Sequence, residues 1–151
     1  MIAYVLPFWL ILPCLVVAAF LRGGAAERRI ATLYAVAAIA SFFPATRAGR
    51  SWIGVETWIL FVDVALLVAL LIMVVRYGRW WIILATSLQT ISALAHLARL
   101  LDPTFDPVAY SLMEGASSYP TLILLGYAIW RSWGNSSAAA VRPTRRDPPG
   151  D

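Results

Sequence analysis

The sequence has few charged residues, a single cysteine, a single histidine and no lysine. Charged residues make up 13% of the 151 residues, about half their share in ordinary soluble domains, whereas hydrophobic residues make up 61%. A chain of this length cannot bury so much apolar surface in a core that faces water. The composition therefore predicts an integral membrane protein with a single domain, and a lipid bilayer as its main partner.

The scarce residue types also exclude several kinds of site. Cys14 lies in an apolar run and has no second cysteine, which excludes an internal disulfide and a multi-cysteine metal site. The twelve basic residues are all arginines that fall between apolar runs, so we expect no nucleic acid partner. Because no serine or cysteine carries an elbow or dyad signature, the sequence favours a protein without catalytic activity, and we expect no cofactor or metal.

Five apolar runs predict five helices that cross a hydrocarbon core about 30 Å thick. The predicted fold is an all-α, polytopic membrane bundle over residues 1–133, with spans at residues 2–21, 27–43, 55–75, 80–101 and 108–130. The second span reaches the required length only by including Glu27, Arg28 and Arg29. Residues 134–151 are rich in polar residues and proline, which predicts a disordered cytoplasmic tail.

The arginines predict the orientation of these spans. With the N-terminus outside, nine arginines lie on the inner side and three lie on the outer side, namely Arg47, Arg50 and Arg99. If the second apolar run did not cross the membrane, six arginines would lie on each side. An excess of arginine on the cytoplasmic side is the usual bias of inner-membrane proteins, so the sequence predicts five spans with the N-terminus out and the C-terminus in.

Polar residues inside the last three spans recur at helical spacing, so those of one span share a face. They are Glu56 and Asp63 on the third span, Gln89, Ser92, His96 and Arg99 on the fourth, and Ser111, Glu114 and Ser118 on the fifth. Ionisable groups at membrane depth are costly and usually face the protein interior. We therefore expect one polar cluster shared by three helices.

The height of this cluster follows from the short connection between the third and fourth spans. In a tight hairpin, residues whose numbers sum to 155 lie at equal height, which places Glu56 beside Arg99 and Asp63 beside Ser92. His96 is one turn from Ser92. The cluster is thus predicted in the outer half of the membrane. The inner half of these three helices is almost entirely aliphatic.

Three functions stay open for such a protein. The first is a non-catalytic accessory subunit or self-assembling scaffold, in which the cluster holds helices together and the alanine-rich second span packs closely in a homo-oligomer or larger complex. The second is a small ion or proton channel or transporter, since Asp, Glu and His chains mark such paths. The third is a membrane-embedded metal or cofactor site, with His96, Asp63 and Glu114 as ligands.

One stretch also supports a cellular location. Residues 95–103 read Ala-His-Leu-Ala-Arg-Leu-Leu-Asp-Pro, and they are followed by Ala109-Tyr110 and by Ser118-Tyr-Pro120 with three further leucines, Leu122, Leu124 and Leu125. This pattern resembles a group of uncharacterised short bacterial membrane proteins over about a third of the chain. The resemblance implies a multi-pass protein of the bacterial inner membrane, and it implies no functional residues.

Overall fold

A computed structural model describes residues 2–45, 52–102, 104 and 106–141, with side chains outside the description at 2–6, 43–45, 52–56, 107, 111, 114–116 and 135–141. The described residues form five helices and no strand, which confirms the all-α prediction. The helices are α1 (Ile2–Arg22), α2 (Ala25–Ala45), α3 (Trp52–Tyr77), α4 (Trp80–Leu101) and α5 (Pro107–Val141).

The five helices form a closed ring. Each helix packs against the next in the chain, and α1 closes the ring by packing against α5. In addition, α2 contacts α5 across the interior. This contact divides the ring into a triangle of α1, α2 and α5 and a four-helix unit of α2, α3, α4 and α5.

Two of the helical segments, Thr57–Tyr77 and Trp80–Leu101, are long and apolar enough to cross a membrane. The described part of α1 contains a shorter apolar stretch, Pro7–Arg22. The outer surface of α3 is a continuous stripe of exposed apolar side chains, formed by Phe61, Val64, Val68, Leu71, Ile72 and Val75. Such a surface is unfavourable in water and supports membrane association.

Two helix ends differ from the sequence expectations. Helix α2 begins at Ala25, so Glu27 lies within its first turn. Helix α5 continues to Val141, beyond the predicted start of the tail at residue 134. Extending an existing helix needs no new nucleus, and the alanines at 138–140 have the highest helix propensity. Residues 142–151 of the predicted tail lie outside the described residues.

The hairpin between α3 and α4 depends on one glycine. Gly78 has a φ of +58°, and its N–H donates to the Val74 carbonyl at 2.8 Å. This is the left-handed residue that commonly ends a helix, a conformation that costs other residues roughly 1–2 kcal/mol. Helix α4 begins two residues later at Trp80, so the hairpin is as tight as the sequence predicts.

We expect Gly78→Ala to lower the free energy of unfolding by about 1 kcal/mol, because the added methyl group penalises the left-handed backbone. No heavy atom lies within 4 Å of the position that a Cβ would occupy, so the backbone is the only source of the cost. Gly134→Ala is the matched control, since Gly134 also has open space around it but lies within α5. That control should stabilise the protein by about 0.5–1 kcal/mol. Unfolding in mixed detergent followed by circular dichroism measures both, and equal effects would contradict the prediction.

Candidate functional site: a buried carboxylate, histidine and tyrosine

Asp63 places a carboxylate inside the bundle near the middle of α3. Its side chain is 13% exposed, and its Oδ2 atom accepts a hydrogen bond of 2.9 Å from the Ser92 hydroxyl of α4. The tight hairpin at Gly78 explains this contact, because the numbers of these two residues sum to 155 and they therefore lie at equal height. Asp63 and Ser92 thus connect α3 to α4.

His96 connects the carboxylate to a third helix. Its side chain is 4% exposed, and its Nε2 atom lies 3.5 Å from Asp63 Oδ2. On the opposite side of the ring, Nδ1 lies 2.9 Å from the Tyr110 hydroxyl of α5. The two aromatic rings meet edge to face with centroids 5.4 Å apart. One imidazole therefore joins α3, α4 and α5 through its two nitrogen atoms.

A positive charge lies at the end of this series of groups that is farthest from Asp63. The Arg99 guanidinium lies over the Tyr110 ring, 4.5 Å from its centroid. Stacking of this kind is favourable because the face of an aromatic ring is electronegative. Arg99 lies one turn beyond His96 on α4, so Tyr110 separates the histidine from the guanidinium. The order along the bundle is therefore carboxylate, imidazole, phenol and cation.

On the other side of Asp63 lie two more buried polar groups. Gln89 of α4 faces the carboxylate, and Tyr34 of α2 faces Asp63 and Thr121 of α5. The Gln89 Nε2 atom and the Tyr34 hydroxyl are both fully buried. The Thr121 hydroxyl donates to the Ser117 carbonyl at 2.8 Å. Two donors thus point into the interior next to a carboxylate.

The structure brings together five of the residues that the sequence singles out, namely Asp63, Gln89, Ser92, His96 and Arg99. Ser118 is half-buried on α5. The side chains of Glu56, Ser111 and Glu114 lie outside the description, so the proposed pairing of Glu56 with Arg99 and the ligand role of Glu114 stay predictions. Within the described residues, no three His, Cys, Asp or Glu side chains meet as a metal ion would require.

Three residues of the interior were missed by sequence reasoning. Tyr34 and Tyr110 carry hydroxyl groups that pattern analysis did not count, although Tyr34 lies on the same face of α2 as Glu27, seven residues away. Glu27 itself was treated as the edge of a short span, but its side chain is 1% exposed. Glu27 therefore adds a polar group at the end of the bundle where α2 and α4 begin. It comes from α2, whereas the prediction of an aliphatic inner half concerns only the last three spans.

The arrangement allows a proton to move without creating a net buried charge. Asp63 and His96 can hold one proton between them, either as a carboxylate beside an imidazolium or as a carboxylic acid beside a neutral imidazole. Both states keep the pair neutral, which matters because an unpaired charge at this depth is costly. Tyr110 and Ser92 supply hydrogen bonds to the two ends of the pair, so its position is held in both states.

We expect Tyr110→Phe to destabilise the bundle by about 0.6 kcal/mol and by no more than about 2 kcal/mol, because it removes one buried hydrogen bond to His96 and keeps the ring. Tyr127→Phe is the matched control, since Tyr127 is an exposed tyrosine of the same helix that stacks against Trp80 and Trp130. The free energy of unfolding in mixed detergent measures both variants. A Tyr110→Phe protein as stable as the control would show that the hydrogen bond has no energetic role.

The chain matches no family model, no curated protein and no solved structure. The contacts among Asp63, His96 and Tyr110 are the basis for the function proposed below.

Proposed function

We propose that this protein is a small proton channel or proton-linked transporter, with Asp63 and His96 as its proton-binding pair. It would be a multi-pass protein of a bacterial inner membrane, with five spans, the N-terminus outside and the C-terminus inside. The observation that carries the proposal is a series of contacts within the bundle. The Tyr110 hydroxyl is hydrogen-bonded to His96, and His96 pairs with Asp63. Carboxylate and histidine residues in such positions mark proton paths in pumps and transporters.

Polar side chains continue beyond Asp63 toward the centre of the bundle. Gln89 and Tyr34 are buried beside the carboxylate, and Tyr34 also faces Thr121. These groups support a proton path that extends past the pair of Asp63 and His96.

The positions of the arginines support the orientation. Arg22, Arg28, Arg29, Arg76 and Arg79 all lie around the two helix junctions at residues 23–24 and 78–79. Helices α1 and α3 end there, and α2 and α4 begin there, so the two junctions belong to one end of the bundle. A concentration of arginine at one end favours the cytoplasm for that end, and this supports a periplasmic position for the cluster around His96.

The proposal predicts proton flux through purified protein in liposomes. A potassium gradient with valinomycin sets the membrane potential, and a trapped pH-sensitive dye reports proton entry. We expect Asp63→Asn to reduce the flux to that of protein-free liposomes, because asparagine keeps the size and hydrogen bonding of the side chain but cannot carry a proton.

Asp102→Asn is the matched control for this experiment. Asp102 follows α4 and is fully exposed, and hydrogen bonds from the Thr104 hydroxyl and amide hold the pKa of its carboxyl below the usual value. It should therefore stay ionised and take no part in transfer, so the control should conduct as the wild type does. Wild-type liposomes that admit no more protons than empty ones would refute the proposed function.

An accessory subunit or self-assembling scaffold is the second candidate function. The same contacts support it, because Asp63, Ser92, His96 and Tyr110 pair with one another across three helices. Pairing of this kind stabilises helix packing in lipid, where the hydrophobic effect does not drive helices together. The cluster would then fix the shape that a partner subunit or a second copy recognises.

The second candidate predicts that protein purified from native membranes in mild detergent migrates as an oligomer or with a larger membrane complex. Light scattering coupled to gel filtration measures its mass without the bound detergent. A monodisperse monomer of 16.6 kDa without a co-purifying partner would count against this function and leave the transport function in place.

A further inference from the structure

A second buried carboxylate lies at the opposite end of the bundle from His96. Glu27, in the first turn of α2, has a side chain that is 1% exposed, and it is among the largest fully buried side chains that the structure describes. Its Oε1 atom pairs with the Arg79 guanidinium from the turn between α3 and α4, and the arginine side chain is 46% exposed. The ion pair therefore connects a buried acid to a cation that water reaches.

The other carboxylate oxygen of Glu27 has no partner. Its Oε2 atom is buried without a hydrogen bond in the described part of the chain. It lies in the space above Gly24, since a Cβ built on that glycine would be 2.8 Å from Oε2 and 3.5 Å from the Ser132 hydroxyl oxygen of α5. The ion pair with Arg79 uses only Oε1. The second oxygen, Oε2, is buried between α2 and α5 and is a position that can accept a proton.

Glu27 points along the same helix face as Tyr34. The two residues are seven positions apart on α2, which corresponds to two turns and about 10 Å. Ile30 lies between them on α2, and it belongs to an apolar layer of the core to which each helix of the four-helix unit contributes one fully buried side chain, namely Ile30, Leu70, Ile82 and Leu125. An apolar constriction of this kind can stop water and ions until it opens.

The charged groups around Glu27 define its surroundings. Arg79 is the cation that contacts it from the α3–α4 turn. On α2 itself, the Arg28 Nε atom donates to the Gly23 carbonyl at 3.1 Å, and Arg29 lies over the Tyr77 ring of α3. Arg22 of α1 lies over the Trp133 ring of α5, and the Ser132 hydroxyl of α5 lies, like Glu27 Oε2, next to Gly24.

We infer that Glu27 is a second proton-binding residue, which exchanges protons with the arginine-rich side of the membrane. The inference rests on the proposed function and supplies the inner end of its path. The Oε2 atom takes up a proton, the carboxyl group becomes neutral, and Arg79 keeps its charge at the water-exposed surface. When the apolar layer opens to water, the proton leaves the carboxyl group toward Tyr34 and Asp63, and the ion pair forms again.

Three variants separate proton exchange from a structural ion pair in the same liposome assay. Glu27→Gln should abolish the flux, because the amide cannot carry a proton. Glu27→Asp should retain flux, because it keeps a carboxyl group. Arg79→Gln should also retain flux, because it removes the ion pair and leaves the acid. Equal fluxes in Glu27→Gln and Arg79→Gln would overturn the inference, since an ion pair with only a structural role is lost in both.

Infrared spectroscopy of the purified protein gives a readout that does not depend on flux. The wild type should show a carboxyl C=O band that appears as the pH falls and is absent from Glu27→Gln, and a titration without such a band would overturn the inference. If Glu27→Gln does not accumulate, Arg79→Gln decides, because it keeps the acid and should therefore keep the band, and loss of the band in this variant would overturn the inference. Liposomes that conduct through the wild type but not through Asp63→Asn, and equally well through Glu27→Gln, would refute the role of Glu27 alone.

Discussion

Asp63 brings a carboxyl group to a depth where an isolated charge would be prohibitively expensive, and its contact with His96 makes that position tolerable. An ionised carboxylate can remain in a poorly solvated interior only when a cation or several hydrogen bonds compensate for the lost water. Here His96 Nε2 and the Ser92 hydroxyl both face the same oxygen, at 3.5 Å and 2.9 Å. The packing of α3 and α4 against α5 follows from this requirement, because His96 reaches its second partner, Tyr110, only if α5 lies on that side.

The interior of the four-helix unit is built from positions that recur every seven residues. On α4 these are Ile82, Gln89 and His96, and on α5 they are Ser118, Leu125 and Ser132. Two turns of an α-helix return a side chain almost to the same face, so the residues named on one helix occupy successive levels of the interior. On α5 these levels are polar, apolar and again polar, whereas on α4 one apolar level is followed by two polar levels.

Part of this site could be predicted from the sequence. The four-residue connection at Gly78 sets the height of α3 relative to α4, so the pairing of Asp63 with Ser92 follows from their numbers alone. Helical spacing likewise predicts that Gln89, Ser92 and His96 share a face. The number of helices follows from the apolar runs, although by length and composition only two of the described segments qualify as membrane-spanning.

The other residues of the site depend on the rotation of each helix relative to its neighbours. The spacing of residues within one helix does not determine that rotation. Tyr110 joins the site because α5 presents its hydroxyl to His96, and an isolated tyrosine near a span end is equally consistent with an interfacial position. Glu27 looks like an interfacial acid until the ring closes and places α5 and the Arg79 turn around it. Its burial depends on α2, α5 and the Arg79 turn together, so the sequence of α2 alone does not predict it.

Helix α1 stands apart from all of this chemistry. It packs against α2 and α5 in the triangular part of the ring, and none of the groups from Glu27 to Tyr110 belongs to it. Helix α1 also contains Pro7 and Pro13, each of which removes a backbone hydrogen bond and so weakens the helix. A bend at these prolines would leave Asp63, His96 and Glu27 in place, because those side chains belong to other helices. The fit of α1 to bilayers of different thickness and the geometry of the polar cluster therefore depend on different helices.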